Sequence, residues 1–247
     1  MTGRLRRTLA LLTLGGALAL LSWGQAAADD DQRTLAARRA MVADQLRGRD
    51  ITSEQVLTAM ANMPRHRFVP AALRSSAYLD HPLPIGEGQT ISQPYIVALM
   101  TQLLDLESTD RVLEVGTGSG YQAAILAEVV GSVYSIEIRP EMHARASGDL
   151  AAAGYGDIKL RAGDGYYGWW EQAPFDHIII TAAVDHVPPP LLEQLRPGGT
   201  MVLSLGNPLS YQNLVQVTKG AGSPPTYQVD MVTGVRFVPM TGAALDR

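Results

Sequence analysis

The ten residues from Arg111 to Gly120, Arg-Val-Leu-Glu-Val-Gly-Thr-Gly-Ser-Gly, constrain the fold more than any other part of the chain. Their apolar side chains predict a short buried strand, and the glycines at 116, 118 and 120 predict a sharp turn into a helix over residues 121–130. Glycines let a ligand approach the main chain closely, and the first turn of a helix offers unpaired N–H groups. The segment therefore predicts a nucleotide-type binding loop.

Two more predicted strands end at acidic residues. Residues 133–136 precede Glu137, whose carboxylate suits the two hydroxyls of a ribose. Residues 159–163 precede Asp164 and Gly165, where a carboxylate can accept a hydrogen bond from an adenine amino group. Because the carboxyl ends of parallel strands share one edge of a sheet, we expect the three loops to lie together.

The rest of the chain completes an α/β pattern. Residues 188–195 predict a short helix, and further strands are predicted at residues 176–183, 201–205, 214–217 and 235–239. The isoleucine run within residues 176–183 is typical of a parallel strand that is covered on both faces. The sequence therefore predicts a doubly wound, mostly parallel seven-stranded sheet with helices on both faces, preceded by an N-terminal helical segment.

The N-terminal half contains fewer regular signals. Residues 31–49 have amphipathic helical spacing, and Thr52 with Gln55 predicts a capping box for a second helix that ends near residue 62. Residues 83–95 hold too many glycines and prolines for a regular element, so we expect an ordered loop. Pro94 suits the first turn of a helix over residues 95–104, with Ser92 or Gln93 as its cap.

The first 28 residues differ from the rest of the chain. Three arginines precede an apolar run over residues 9–23, and Ala26-Ala27-Ala28 offers small residues for processing. This pattern predicts a signal peptide that is cleaved after Ala28. We expect an exported, periplasmic protein without a membrane anchor after cleavage, or a cytoplasmic protein if the segment is not used as a signal. The Arg6-Arg7 pair leaves the general and the twin-arginine export routes open.

Composition excludes several classes of function. With 247 residues, 46% of them hydrophobic, the chain can bury one substantial core. Its formal net charge is −4, and loss of residues 1–28, which hold three arginines and no acidic residue, would make it −7, so no nucleic-acid partner is expected. The chain has no cysteine, and its five histidines form no H-x-H or H-E-x-x-H motif, so no metal site is expected. His66, which stands between two arginines, is expected to be structural rather than catalytic.

The spacing G-x-G-x-G, with Glu114 two residues before the first glycine, is similar to that of class I S-adenosylmethionine methyltransferases. Taken together, four segments resemble the protein-L-isoaspartate O-methyltransferase family: Pro64-Arg-His-x-Phe-Val-Pro70, Leu83-Pro-Ile-Gly-x-Gly-Gln-Thr-Ile-Ser-Gln-Pro-Tyr95, Leu113-Glu-Val-Gly-Thr-Gly-Ser-Gly-Tyr-Gln-Ala123 and Ala173-Pro-Phe-Asp176. Residues 89–94, within the second segment, are the part most specific to this family. The predicted signal peptide departs from this mostly cytosolic family, and Ser204-Leu205 stands where many bacterial members have Pro-Val.

The resemblance implies a Rossmann-like methyltransferase domain over residues 29–247. Residues 29–105 would form the N-terminal helices and substrate loop, and residues 106–247 the cofactor-binding sheet and C-terminal strands. The implied cofactor is S-adenosyl-L-methionine, and the implied partners of this expected monomer are isoaspartyl-containing proteins and peptides. Ser92 would close over the active site and contact the substrate carboxylate.

The resemblance also assigns the remaining contacts. The methionine end of the cofactor would meet Glu114, Gly116 and Gly118, the ribose would meet Glu137, and the adenine would meet Asp164 and Gly165. Pro94 and Tyr95 would lie beside the cofactor. The substrate peptide would contact, in part through main-chain groups, Ile91, Ser92, Thr181, Ala182, Ala183, Val235, Arg236, Phe237 and Val238.

Other functions remain open at this stage. A methyltransferase for another substrate would share the glycine loop, Glu137 and Asp164, and an NAD-dependent oxidoreductase would also use Glu137 on a ribose. However, the G-x-G-x-x-G spacing of dinucleotide enzymes is missing. A non-catalytic exported binding protein with the same fold is a third possibility. Ser92 has its own alternative, because a serine before a helix is often only a cap.

Overall fold

The structure, a computed structural model, describes residues 32–207 and 210–242. The predicted signal peptide, residues 1–28, lies outside the described residues. Helix α1 comprises residues 32–40 and continues directly into a π-helical segment, Met41–Arg47. Met41 and Leu46 on this segment are fully buried, so the predicted amphipathic helix is confirmed over residues 32–47.

Helix α2 (Glu54–Asn62) begins after Ser53, whose side chain accepts a hydrogen bond from the N–H of Val56. The predicted capping box is therefore wrong, because Thr52 lies one residue too early to be the cap. Its N–H instead donates to the side chain of Gln102. Serine and threonine hydroxyls can both cap a helix, so the position of the first helical turn decides whether Thr52 or Ser53 caps α2.

A small β-hairpin replaces the irregular loop that was predicted over residues 83–95. Strands β1 (Leu83–Gly86) and β2 (Gln89–Ile91) are antiparallel, and Glu87 at their turn has a positive φ of 53°. Glycines at 86 and 88 supply the other turn conformations, so residues that suggested irregularity in fact form a hairpin turn. Helix α3 (Pro94–Leu103) follows directly.

Seven strands form the central sheet. In spatial order they are β5-β4-β3-β6-β7-β8-β9; the first five are parallel, and β8 and β9 are antiparallel to their neighbours. Their bounds are β3 (Arg111–Val115), β4 (Ser132–Glu137), β5 (Lys159–Ala162), β6 (Phe175–Val184), β7 (Leu195–Gly206), β8 (Gln212–Lys219) and β9 (Tyr227–Val235). The predicted doubly wound, mostly parallel seven-stranded sheet is confirmed.

Helices cover both faces of this sheet. They are α4 (Tyr121–Ala127), α5 (Pro140–Ala152) and α6 (Pro189–Gln194), in addition to α1 to α3. Successive residues of β3 point to opposite faces of the sheet and so pack in two different hydrophobic cores. Val112 packs in the core beneath α2, α3 and α4, and Leu113 packs in the core beneath α6. No helix within residues 32–207 and 210–242 combines the length and apolar character needed to cross a membrane.

The last strand was predicted in the wrong place. Residues 235–239 were expected to form it, but β9 ends at Val235, and Pro239 makes only an isolated bridge to Ala183. All of β9 before Val235 is exposed to solvent. An edge strand without a buried face lacks the alternation of apolar and polar residues by which a strand is recognised in a sequence. The apolar run that follows β9 packs against the rest of the fold, and it was therefore predicted as the strand in place of β9.

Candidate active site

The order of the sheet locates the site. The chain runs from β3 outward to β4 and β5 and then returns to β6 on the other side of β3. A crevice forms at the carboxyl ends of the strands where the direction reverses, and ligands of doubly wound folds bind there. A cleft, here named the glycine-loop cleft, opens at this point and is lined by residues from Glu114–Ser119, Gln89–Ser92, Ile136–Arg139 and Val238–Thr241, together with others that include Gly165, Thr181 and Ala182.

The glycines of the loop are required for different reasons. Gly116 has a φ of 101°, and a Cβ added there would lie 2.5 Å from Oγ1 of Thr181 on β6. Thr181 donates its hydroxyl to the carbonyl oxygen of Gly116 at 2.6 Å, so this contact joins β3 to β6 at the switch point. Gly118 has a φ of 55° and lines the cleft, and a Cβ added there would make only an ordinary contact with Ile85 at 3.8 Å. Its main chain is therefore accessible from the cleft.

Glu137 fixes the loop from the end of β4. One carboxylate oxygen accepts the N–H of Gly118 at 2.8 Å, and the other accepts the N–H of Arg139 at 3.0 Å. The side chain is almost fully buried and lines the cleft. Each oxygen keeps a second lone pair for a ligand hydroxyl, so this geometry is compatible with the predicted ribose contact.

Glu114 is a fully buried carboxyl group on β3 that lines the cleft. Its Oε2 accepts the hydroxyl of Ser135 at 2.5 Å, and Ser135 is also bonded to Thr117 at 2.6 Å. Its Oε1 is buried and has no hydrogen-bond partner. Burial raises the pKa of Glu114 from 4.5 to about 8, the hydrogen bond from Ser135 lowers it, and the charge of Glu137 adds to the rise. An orphan acceptor of this kind is the expected partner of a cationic ligand group.

Asp164 and Gly165 follow β5, as predicted. Oδ1 of Asp164 accepts the N–H of Tyr166 at 2.9 Å and so caps a short 3₁₀ turn, Gly165–Tyr167. Gly165 lines the cleft against Val115. Asp164 does not line the cleft, and its carboxylate lies near Gly242, where an added Cβ would be 2.5 Å from Oδ2. The structure therefore brings Gly165 into the cleft and places Asp164 at its margin.

Ser92 lies between β2 and α3. Gln93 occupies the N-cap position of α3, and its side chain makes no capping hydrogen bond to the helix. The hydroxyl of Ser92 makes no hydrogen bond within the described part of the chain, so the alternative that Ser92 is a helix cap is wrong. It lines the glycine-loop cleft and also a second cavity, here named the adjoining cavity. Ile91 lines the glycine-loop cleft from the hairpin.

Asp80, which the sequence did not single out, holds the start of α3. Its Oδ1 accepts the N–H of Tyr95 at 3.2 Å, and its Oδ2 accepts from Gln93 at 2.7 Å and pairs with Arg49 at 3.1 Å. A carboxylate at a helix N-terminus satisfies an orphan N–H and complements the helix dipole. Because Ser92 immediately precedes Gln93, Asp80 also anchors the segment that carries Ser92.

Pro94 and Tyr95, which the resemblance places beside the cofactor, do not line either cavity. The hydroxyl of Tyr95 donates to Asp50 at 3.0 Å, and Arg49 stacks on the Tyr95 ring at 3.3 Å. These contacts turn the ring away from the glycine-loop cleft. His66 also lies outside both cavities and bonds to the hydroxyl of Tyr78 at 2.6 Å, consistent with its expected structural role.

The adjoining cavity contains most of the residues that were predicted to bind the substrate. Gln212 clamps Phe237 from both sides, accepting its N–H at 2.7 Å and donating to its carbonyl at 3.2 Å. The cavity lies between the hairpin and this clamped segment and is lined by Pro82, Thr90, Ser92, Gln93, Ile96, Thr181, Ser210, Tyr211, Gln212, Gly234, Val235, Arg236, Phe237 and Val238.

Three of the predicted substrate contacts, Ile91, Ala182 and Ala183, lie outside the adjoining cavity. Ala182 lines the glycine-loop cleft rather than the adjoining cavity. Ala183 lines neither cavity, and its N–H and carbonyl are already bonded to Val238 and Met240. The N–H of Ala183 is therefore used within the fold and is not available to a peptide in this structure.

A glycine loop after β3, with Glu137 and Asp164 at the ends of the neighbouring strands on the same edge, defines a Rossmann-like protein that binds a nucleotide-type ligand. A sequence profile of the family described as "Protein-L-isoaspartate(D-aspartate) O-methyltransferase (PCMT)" matches residues 37–245. The chain belongs to this family.

Individual relatives agree with this assignment. The "Protein-L-isoaspartate O-methyltransferase 2" of Shewanella sediminis is 59% identical over 216 residues, which are 87% of this chain and 87% of that protein. The "Protein-L-isoaspartate O-methyltransferase" of Opitutus terrae is 52% identical over 237 residues, 96% of this chain and 98% of that protein. A solved "protein-L-isoaspartate O-methyltransferase" is 28% identical, with a TM-score of 0.75 over 83% of this chain and 67% of that chain.

Proposed function

We propose that the protein transfers a methyl group from S-adenosyl-L-methionine to the free carboxylate of L-isoaspartyl residues in damaged proteins and peptides. The observation that carries this proposal is the position of Ser92. Ser92 lines both the glycine-loop cleft and the adjoining cavity, and its hydroxyl has no hydrogen-bond partner among the described residues. A serine so placed can hold a carboxylate of a peptide in one cavity against a methyl donor in the other.

The residues of the glycine-loop cleft suit this methyl donor. The orphan Oε1 of Glu114 would accept from its ammonium group, the exposed main chain at Gly118 would lie along its methionine end, and Glu137 would accept from its ribose. Gly165, at the wall of the cleft, would lie beside the adenine. When bound, S-adenosylmethionine supplies a methyl group that is already activated on a sulfonium.

The protein need not supply a base for this reaction. A carboxylate with a pKa of roughly 4 is ionised at neutral pH, so it is already a nucleophile. The task of Ser92 and the surrounding main chain is to orient one carboxylate oxygen and to exclude water. Correct positioning can contribute on the order of 7–11 kcal/mol to such a reaction. No group of three or more histidine, aspartate or glutamate side chains suited to a metal occurs within the described ranges, and the mechanism uses none.

The product accounts for a repair function. Methoxide leaves an ester carbonyl far more readily than oxide leaves a carboxylate, so the amide nitrogen of the following residue attacks the ester carbonyl and methanol, which takes up the amide proton, is released. The resulting succinimide hydrolyses at either carbonyl. One of the two products is the normal aspartyl linkage, and repeated cycles convert the damaged chain.

Paired peptides test this function directly. The protein without residues 1–28 is incubated with S-adenosylmethionine labelled on its methyl group and with peptides that differ only in an aspartyl or isoaspartyl residue. We expect base-labile label in the isoaspartyl peptide alone. Equal labelling of both peptides would indicate another methyltransferase, and calorimetric binding of the cofactor without any transfer would indicate a binding protein.

We also propose that the protein is exported to the periplasm and works there as a monomer. The arginines and apolar run of residues 1–28 support export, and the negative charge of the remaining chain supports a soluble monomer. Amino-terminal sequencing of protein from its native host should give Asp29. If the protein is instead recovered from the cytosol with Met1 as its first residue, the proposal of export is refuted. If light scattering gives the mass of a dimer, the proposal of a monomer is refuted.

A further inference from the structure

The adjoining cavity has an unusual charge pattern for a site that binds peptides. Among the described residues that line it, Arg236 is the only one with a charged side chain. The other polar residues are neutral, including Thr90, Gln93 and Gln212. The protein as a whole carries a formal net charge of −4, so this cavity presents a local cation on an acidic molecule.

The main chain on both sides of Arg236 is fixed. Val235 pairs with Gln212 in the ladder between β8 and β9, and the side chain of Gln212 also binds Phe237 through both of its main-chain groups. Arg236 itself is exposed, and its guanidinium makes no ion pair or hydrogen bond to any residue in the described ranges. The main chain that carries Arg236 is therefore held at a defined position, and its guanidinium remains available to a ligand.

The position of Arg236 relative to Ser92 indicates what it contacts. Ser92 and Thr181 line both cavities, whereas Arg236 lines only the adjoining cavity. The reacting carboxylate has to lie at the junction, because the methyl group comes from the glycine-loop cleft. Arg236 is therefore placed beside the peptide rather than beside the reacting carboxylate.

We propose that Arg236 selects isoaspartyl peptides that carry an acidic side chain next to the isoaspartyl residue. This inference rests on the proposed function and specifies its substrate class. A cation at the rim of a binding site favours oppositely charged ligands, both in encounter and in the bound state. Because the guanidinium is exposed and screened by salt, the expected preference is roughly 3- to 10-fold in kcat/KM rather than absolute.

Two sets of isoaspartyl peptides test the proposal. The residue immediately before or immediately after the isoaspartyl residue is Glu, Gln or Lys, and both ends are blocked by acetylation and amidation so that only side chains differ in charge. The variants are Arg236→Gln, Arg236→Lys and, as a control for net charge, Arg74→Gln, since Arg74 is an exposed arginine in neither cavity. All are compared by kcat/KM at low salt and at about 0.5 M salt.

We expect the unmodified protein and Arg74→Gln to prefer Glu over Gln, and Gln over Lys, in one of the two sets. Arg236→Gln should bring these ratios close to one, Arg236→Lys should keep part of the preference, and high salt should reduce it. Equal kcat/KM for all peptides in the unmodified protein would overturn the proposal. An equal loss on every peptide in Arg236→Gln would also overturn it, because Arg236 would then serve the reacting carboxylate. Absence of methylation of any isoaspartyl peptide would instead refute the proposed function.

Discussion

Replacement of Glu114 by glutamine tests the electrostatics of the cleft. The carboxyl group is fully buried, and its pKa is raised from 4.5 to about 8 chiefly by burial. In the unfolded chain the group ionises near 4.5, whereas in the folded protein it stays protonated until about pH 8. The unfolded state therefore binds fewer protons between these values, so stability must fall as the pH rises through this window.

The size of this effect follows from the two pKa values. A rise from 4.5 to about 8 corresponds to a loss of on the order of 5 kcal/mol in the free energy of unfolding. The contribution is fully present below about pH 4.5 and is gone above about pH 8. A glutamine of the same shape does not ionise, so Glu114→Gln should match the parent near pH 5 and exceed its stability near pH 9.

Cofactor binding should change in the opposite direction. If Oε1 of Glu114 accepts from the ammonium group of S-adenosylmethionine, the ionised carboxylate binds better than the acid. Binding to the parent at neutral pH should therefore release a proton and should tighten as the pH rises toward 8. Glu114→Gln should bind more weakly and release no proton.

Thermal unfolding between about pH 5 and pH 9 and calorimetric titration in two buffers of different ionisation enthalpy measure both effects. Glu141→Gln, which removes an exposed carboxylate on α5, is the matched control and should follow the parent. The free energy of unfolding of Glu114→Gln and that of the parent could instead change with pH in parallel over this range. This result would show that the pKa of Glu114 is not raised by burial. Proton release that persists in Glu114→Gln would refute its assignment to the cofactor.

Three other substitutions test separate parts of the site. Ser92→Ala should lower methyl transfer to an isoaspartyl peptide roughly 10- to 1000-fold with little change in cofactor affinity or melting temperature; a parent-like rate would remove Ser92 from the mechanism. Gly116→Ala should cost about 1–3 kcal/mol in the free energy of unfolding, since its Cβ would meet Thr181 at 2.5 Å and its φ is 101°, and an unchanged denaturant midpoint would contradict this. Asp80→Ala should cost about 1 kcal/mol in stability and lower turnover with cofactor affinity preserved, whereas intact turnover in a destabilised variant would mean that Asp80 supports α3 alone.

The parallel part of the sheet and its ligand loops could be predicted because their signals are local. A buried strand next to a glycine loop, as at Gly116, or next to an acid, as at Glu137, is written in consecutive residues. The order of such loops along one edge follows from the parallel connections. This is why Glu114, Gly118 and Gly165 were correctly expected in one cleft.

Other features depend on contacts between distant parts of the chain and left no local signal. Tyr95 is turned from the cleft by Asp50, which lies 45 residues earlier. The side chain of Gln212 bonds both main-chain groups of Phe237, which lies 25 residues later. The apolar run around Phe237, which was predicted as a strand, is therefore held by a side chain and not by a neighbouring strand. Asp80 caps a helix from 15 residues away, and sequence rules search for caps only next to the helix.

Asp164 and Gly165 form an aspartyl-glycyl peptide bond at the edge of the glycine-loop cleft. Such a bond is chemically fragile, because glycine has no Cβ to shield its amide nitrogen from the side-chain carboxyl before it. Here the carboxylate is held by the N–H of Tyr166 at 2.9 Å, and Gly165 is buried against Val115, so cyclisation requires the turn to open. Damage at this bond should therefore be limited by how often the turn opens, and it would occur beside the glycine-loop cleft.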